Sequence, residues 1–432
     1  MSVLKRMPYR RTTATLLAMA LLYVYAISAS AQNDNGLGHN GLDDENNTPM
    51  FSFSGFGTLG VVHSSEDQAD FTSSVFKPNG AGYTRSWSAD VDSLLGGQLT
   101  ATFTPQLSAV VQIIVEQDYD NAYRPQVEWA NIKYQFTPDF FVRAGRVVLP
   151  NFMASDYRKV GFITPWVRPP IEVYNLVPIT KNDGIDSNYR LRFGEVTNTI
   201  QAVYGQLTTT DKNGSDVKGR DQWGLFNTME YGPWTMRLGY YQTRTTLEEF
   251  KPFFDTFRLF GPEGTALADR YDCDDKLITL ASVGASYDPG DWFLTGELAR
   301  READCFAGDN TAWYISGGYR FGKITPYLTY AQVKATSNTS DPGLDVSTLP
   351  PELVGIATGL NAGLNSMLAA SPEQQSISIG ARWDFMDNAA FKLQFDHVRL
   401  GDNSPGVLTN IQPNFQPGGS FNVFSATINF VF

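Results

Sequence analysis

From Met50 onward, apolar and polar side chains alternate in segments of about ten residues. In "QLTATF", Leu99, Ala101 and Phe103 share one parity, and Gln98, Thr100 and Thr102 the other. In "VEWANIKYQF", Ala130, Ile132, Tyr134 and Phe136 alternate with Asn131, Lys133 and Gln135. In "NYRLRF", Tyr189, Leu191 and Phe193 alternate with Arg190 and Arg192. Neighbouring side chains of a strand point to opposite faces, so each segment predicts a strand with one apolar and one polar face.

The connections alternate in length. Seven are short and carry Gly, Pro, Asp or Asn in turn chemistry: 103–106, 136–140, 193–196, 231–234, 288–292, 320–323 and 385–388. Six of these seven have an aromatic residue at a strand end. Eight are longer: 64–84, 118–126, 148–184, 207–219, 245–275, 301–310, 336–373 and 400–419. Seven turns and eight loops join 16 strands and put both chain ends on the turn side. In lipid every backbone polar group must be paired within the protein, so strands span only as a closed barrel. The expectation is an all-β transmembrane antiparallel barrel over 50–432, with 16 strands, or 18 if 148–184, 245–275 or 336–373 hides a strand pair. A soluble sandwich also alternates, but does not pair short turns with long loops so regularly.

The first residues change the picture of where the barrel sits. Lys5, Arg6, Arg10 and Arg11 precede an apolar run of 13 residues from Thr15 to Ile27, then Ala29 and Ala31 at small-residue cleavage positions. This predicts a secretory signal peptide over 1–31. The polar stretch 32–49 predicts a flexible periplasmic lead-in. Past the leader, 29 Lys and Arg face 45 Asp and Glu, a balance of −16 that argues against a nucleic-acid surface. Cys273 and Cys305 fall in adjacent long loops of an exported chain, which favours a disulfide over two free thiols. Asp269, Asp272, Asp274 and Asp275 lack the spacing of a calcium loop, and His39, His63 and His397 make no metal spacing, so no cofactor is expected.

The chain ends "SATINFVF", an alternating aromatic strand closed by Phe432, and its first strand reads "FSFSGFGTLGV" (51–61). On these stretches and on the layout of turns and loops, the sequence resembles the Gram-negative outer-membrane porins. The resemblance implies passage of ions and small hydrophilic solutes, contact with outer-membrane lipids and lipopolysaccharide, and a homotrimer. It also implies reading of Phe430 and Phe432 by the barrel-assembly machinery. A channel selective for sugar, carboxylate or phosphate is the close alternative. A lipid hydrolase using His397, or an adhesin using 336–373, is the alternative of another class.

In that family the third outer loop folds into the lumen and narrows it. Here it is 148–184, rich in Pro and aromatic residues, carrying Asp156, Glu172 and Asp183 among Arg158, Lys159, Arg168 and Lys181. On inward parity lie the cations Lys133, Arg143, Arg190, Arg192, Arg237, Arg320, Arg382 and Lys392, and the acids Asp90, Asp92, Glu116, Glu297, Asp384 and Asp396. Opposed charges across a lumen set a transverse field that screens solutes. Arg143, Arg190 and Arg192 are expected to stand beside the loop at the narrowest point, with Glu172 and Asp183 opposing them.

Overall fold

The computed structural model describes residues 50–432; the expected signal peptide (1–31) and lead-in (32–49) lie outside the described residues. Sixteen barrel strands follow one another in the chain. They are β1 (Phe51–Ser64), β2 (Leu94–Thr102), β3 (Leu107–Gln117), β4 (Tyr123–Thr137), β5 (Phe140–Val148), β6 (Lys181–Phe193), β7 (Val196–Thr210) and β8 (Asp216–Tyr231). Then come β9 (Trp234–Leu247), β10 (Lys276–Tyr287), β11 (Trp292–Ala303), β12 (Asn310–Tyr319), β13 (Ile324–Ala335), β14 (Gln374–Met386), β15 (Ala389–Leu400) and β16 (Ser420–Val431). Each pairs antiparallel with its chain neighbours, and β1 closes on β16 from Phe56↔Val431 to Ser64↔Val423. Closure removes the sheet edges that hydrocarbon would leave unpaired.

All seven short connections fall where the turn residues put them, and the count is 16. The loops suspected of hiding strands hold helices instead: α1 (Ile171–Tyr174), α2 (Lys251–Arg258), α3 (Gly261–Tyr271) and α4 (Pro351–Ala369). The first loop runs longer than the alternation suggests, over 65–93. Its carbonyls at Asp90 and Val91 accept from Lys77 Nζ at 2.9 Å, and Val91 O also from Ser73 Oγ at 2.6 Å, so they serve the loop rather than a ladder. Asp90 and Asp92 therefore sit on this loop and not on a strand.

Outward faces are apolar apart from charges toward the loop end, with Phe53, Leu99, Ile132, Phe193, Leu238, Leu328 and Ile379 among the exposed side chains. Inward faces are of two kinds. From β7 round to β13, Val203, Phe226, Tyr241, Leu280, Phe293, Tyr314, Tyr327 and Val333 are buried against the third loop in one apolar cluster. On β1, β15 and β16, Val62, Val398, Leu400, Phe421 and Val423 form a second inward apolar cluster against the first loop, and the rest of the inner wall is mostly polar or charged. The lumen is therefore not uniformly wet. "AWYISGGY" carries large apolar side chains on both parities, as does "WFLTGELA" apart from Thr295 and Glu297, the mark of strands covered on both faces.

On the loop side, α2, α3 and α4 bury Phe254, Phe257, Leu267, Leu360 and Leu364 in a separate core. A Cys273–Cys305 disulfide joins the loops 248–275 and 304–309 beside it. The acidic rim is neutralised by side chains: Asp272 accepts from Arg258, Asp274 pairs with Lys251, and Asp275 pairs with Arg220 and Arg244. Among the described residues no cluster is arranged to hold a metal ion.

Gly145, Gly184 and Gly205 stand in register across β5, β6 and β7. A Cβ on Gly184 would lie 2.0 Å from Tyr204 O, and one on Gly145, whose φ is +121°, 2.3 Å from Ala130 O. Neither carbonyl can withdraw without breaking the ladder. Gly184→Val should therefore prevent barrel assembly, read as loss of the heat-modifiable folded band on a gel; normal folded yield would contradict this.

Candidate functional site

The third loop (149–180) leaves β5, crosses the lumen and returns to β6. Pro165, Pro169, Pro170 and Pro178 restrict its unfolded alternatives, lowering the entropy cost of one conformation. Its backbone has left any ladder, so its polar groups need partners inside the barrel. Inward side chains of distant strands supply them. Arg237 on β9 donates to Pro150 O at 2.6 Å, and Ser282 on β10 to Asn151 O at 2.9 Å. Glu297 on β11 accepts from Met153 N at 2.8 Å, Tyr174 Oη at 2.7 Å and Tyr314 Oη at 2.9 Å.

The far wall binds the middle of the loop. Lys392 on β15 is fully buried, and its ammonium donates to Gly161 O, Thr164 O and Trp166 O. Arg382 on β14, directly across the ladder from Lys392, donates to Phe162 O and Thr164 O. Like charges facing across a strand pair repel; here the loop's carbonyl oxygens offset that cost. Trp166 Nε1 donates to Ser316 Oγ at 2.8 Å. Arg168 grips Asp92 with Nε at 2.8 Å and Nη2 at 2.5 Å, and lies 3.5 Å from Asp396 on β15. A bidentate guanidinium–carboxylate pair fixes orientation as well as charge. Glu172 on α1 accepts from Gln374 Nε2 at 2.8 Å; burial pushes its carboxyl above the usual range.

The loop divides the lumen. Toward the loop end is a cavity of about 190 Å³ bordered by Lys77, Glu116, Glu128, Arg158, Lys159 and Arg168. Toward the turn end is one of about 760 Å³ bordered by Asp156, Arg190, Arg237, Arg320, Arg382 and Asp384. Between loop residues 155–160 and the β3–β4 wall is a gap of only about 10 Å³, room for about one water. Asp156 borders both this gap and the larger cavity. Glu128, Arg158, Lys159 and Thr180 border both the gap and the smaller cavity. Lys159 pairs with Glu116 on β3, and the Arg158 guanidinium lies 5.5 Å from the Tyr174 ring. Burial pulls Arg158 below its ordinary value and pushes the Asp156 carboxyl up, the latter opposed by Arg237 and Arg143.

The expected site residues are therefore spread over the lumen. Glu116, Arg237 and Arg382 meet the loop, while Arg190 and Arg320 border the turn-side cavity. Arg143 is bound to Asp186 through Nε at 2.7 Å and Nη2 at 2.6 Å, and Lys133 lies 4.5 Å from the Phe141 ring. Arg192 is displaced from expectation: it pairs with Asp139 in a turn, at the opposite end of β6 from the loop root. Eleven residues of strand separate Lys181 from Arg192, roughly 36 Å. Arg320 likewise pairs with turn residue Asp288. Asp183 does not line the lumen; it shares the outward parity of Ile185 and Tyr189 and binds Arg146 at 2.6 and 2.7 Å. Asp90 is taken by Arg85 and Tyr123 at the first loop. Arg158 at the gap was seen in the sequence only as one charge in a mixed set, since spacing along an irregular loop carries no direction.

A closed barrel with a docked loop splitting a charged lumen is a transmembrane β-barrel channel. A family model described as Gram-negative porin matches residues 13–406. The chain belongs to the Gram-negative porins and so to the outer membrane. In fold it is similar to a Salmonella typhi OmpF in complex with daunomycin, at 13% identity and TM-score 0.53, covering 88% of this chain and 97% of that one. It is also similar to an anion-selective porin from Comamonas acidovorans, at 15% identity and TM-score 0.52, covering 88% and 99%. OmpT of Vibrio cholerae matches at 11% identity and TM-score 0.50, covering 89% and 99%. The search of curated protein sequences found no match.

Lys392→Met removes the ammonium donor from Gly161 O, Thr164 O and Trp166 O, of which Thr164 O keeps Arg382, at about 1–3 kcal/mol for each acceptor left dry. Amide exchange over 161–167 should accelerate tenfold or more while the barrel amides stay protected. Unchanged exchange there would show that the ammonium does not hold the loop.

Proposed function

We propose that the protein is a non-enzymatic diffusion channel for ions and small hydrophilic solutes, with its neck at loop residues 155–160. The observation that carries this reading is the gap of about 10 Å³ between two polar cavities, where loop residues 155–160 face the β3–β4 wall. A passing ion there meets Arg158 and Lys159 on the outer side and Asp156 on the inner side. Lys159 is offset by Glu116, whereas Arg158 makes no ion pair among the described residues. Glu128 at the gap is offset by Lys181, so Arg158 and Asp156 are left to act on a passing ion, one charge of each sign.

A solute-selective channel is the close second reading, favoured by the aromatic lining of the turn-side cavity. Against a lipid hydrolase, His397 Nδ1 meets the Asn422 amide oxygen at 2.8 Å, with no hydroxyl partner among the described residues. The helical cap of α2–α4 keeps an adhesive role open as an accessory to the channel.

Partners follow from the outer surface. Strands β2 and β5 have nine residues each, which at the usual tilt span about 21 Å of an apolar band of about 25 Å. A wall this low fits cover by a second copy, consistent with a homotrimer. The rest of the outward face meets outer-membrane lipids, and the charged loop rim meets lipopolysaccharide. Phe430 and Phe432 fit a signal for the barrel-assembly machinery.

In a planar bilayer the purified protein should conduct in discrete steps, and Arg158→Glu should move the reversal potential in a salt gradient toward cations. A silent barrel would contradict the channel reading. An unmoved potential would contradict this neck.

A further inference from the structure

We propose that the turn-side cavity holds a binding subsite for aromatic carboxylates, with Arg190 as the carboxylate contact and the exposed face of the inserted loop as the apolar contact. The proposal rests on the channel reading and names a solute class for it.

The charges point to an anion. Lys133 and Arg143 face each other directly across β4 and β5, inside the lumen. Arg190 on β6 is close enough, with Arg143, to act electrostatically on Lys133. Three cations thus share one patch of wall. Only Arg143 has a carboxylate, Asp186. Among the described residues neither Lys133 nor Arg190 has an acid within ion-pair distance, and Lys133 meets only the Phe141 ring. A second facing cation pair on the inner wall, Arg382 and Lys392, is satisfied by loop carbonyls. No protein group does this for Lys133 and Arg190. Repulsion across a strand pair is costly, and an anion arriving from solution would relieve it.

The acids of the cavity do not cancel this patch. Asp288 is bound by Arg320 and Asp384 by Arg382. Asp156 faces Arg237 and Arg143, and burial pushes its carboxyl up. Glu230 remains free among the described residues; the ladder sets it two strands from β6 and level with Arg192, two residues nearer the turns than Arg190.

The second wall points to an apolar body. Ile163, at the tip of the inserted loop, is 55% exposed, and it borders this cavity. Tyr157, Pro165, Trp166 and Phe293 border it too. A wall serving only hydrated ions gains nothing from an uncovered isoleucine. At about 760 Å³ the cavity lies within the usual range for small-molecule sites, with a few polar groups facing an apolar wall. Arg190 and Ile163 border the same cavity, and a planar ring carrying one carboxylate offers a partner to each.

Calorimetry on the detergent-folded protein, with benzoate, acetate and benzamide as probes, tests this whether or not the protein conducts. Benzoate should bind saturably and at least tenfold tighter than acetate or benzamide. Arg190→Gln should weaken benzoate about tenfold or more, the usual effect of losing a charge-assisted bond. Arg190→Lys should recover most of that loss, and Ile163→Ser should weaken benzoate but not acetate. Folding of each variant is checked by its heat-modifiable band. Benzoate binding no tighter than acetate, or unchanged by Arg190→Gln in a folded barrel, overturns the subsite. Benzoate binding by a protein that is silent in bilayers upholds the subsite and overturns the channel reading instead.

Discussion

A loop that enters a barrel must find partners for its backbone, and the rest of the lumen is arranged around that need. The third loop has no ladder of its own. Its carbonyls are met by Arg237, Arg382 and Lys392, and its side chains by Glu297, Ser316, Asp92 and Asp396. An unpaired buried carbonyl costs about as much as a lost hydrogen bond, so inward charges are the economical donors in a low-dielectric wall. Many inward charges that a lumen model would assign to passing ions are instead structural. Arg382 and Lys392 hold the loop, Arg143 holds Asp186, and of the inward cations named here Arg158, Arg190 and Lys133 are left for solutes.

The wall is accordingly lopsided. From β7 to β13 it carries aromatic and aliphatic side chains that pack against Phe152, Trp166, Val173, Tyr174 and Leu176 of the loop. That packing pushes the open path toward β3 and β4, where Gln112, Glu128 and Trp129 face loop residues 155–160. The apolar half gives the loop its position, and the polar half is left to carry solutes. Outside the barrel, α2–α4 and the disulfide form a further layer over the long loops, with its own core.

The sequence was legible where a local rule acts. Alternation and turn chemistry located all seven turns and the count of 16 strands, because a strand in lipid has no freedom in period or closure. Parity assigned Glu297, Lys392 and Arg382 to the inside, and position placed the third loop. Three things escaped. Helices α2–α4 sit in loops where no strand period competes, and their apolar residues were read only as loop composition. Asp183 looked like a loop acid, but β6 begins at Lys181 and its parity sends that side chain outward. Arg192 shares the parity of Arg190, yet parity fixes face and not height, and height alone separates a rim charge from a neck charge.

The neck can be tested by chemistry at one position. The two native cysteines are joined to each other, so Arg158→Cys offers the only free thiol among the described residues. Single-channel current is recorded before and after a bulky methanethiosulfonate reagent is added. If the path runs between 155–160 and the β3–β4 wall, the modified channel should lose most of its current, and a reductant should restore it. A current that is unchanged after complete modification would contradict that path and place the narrowest point elsewhere in the lumen.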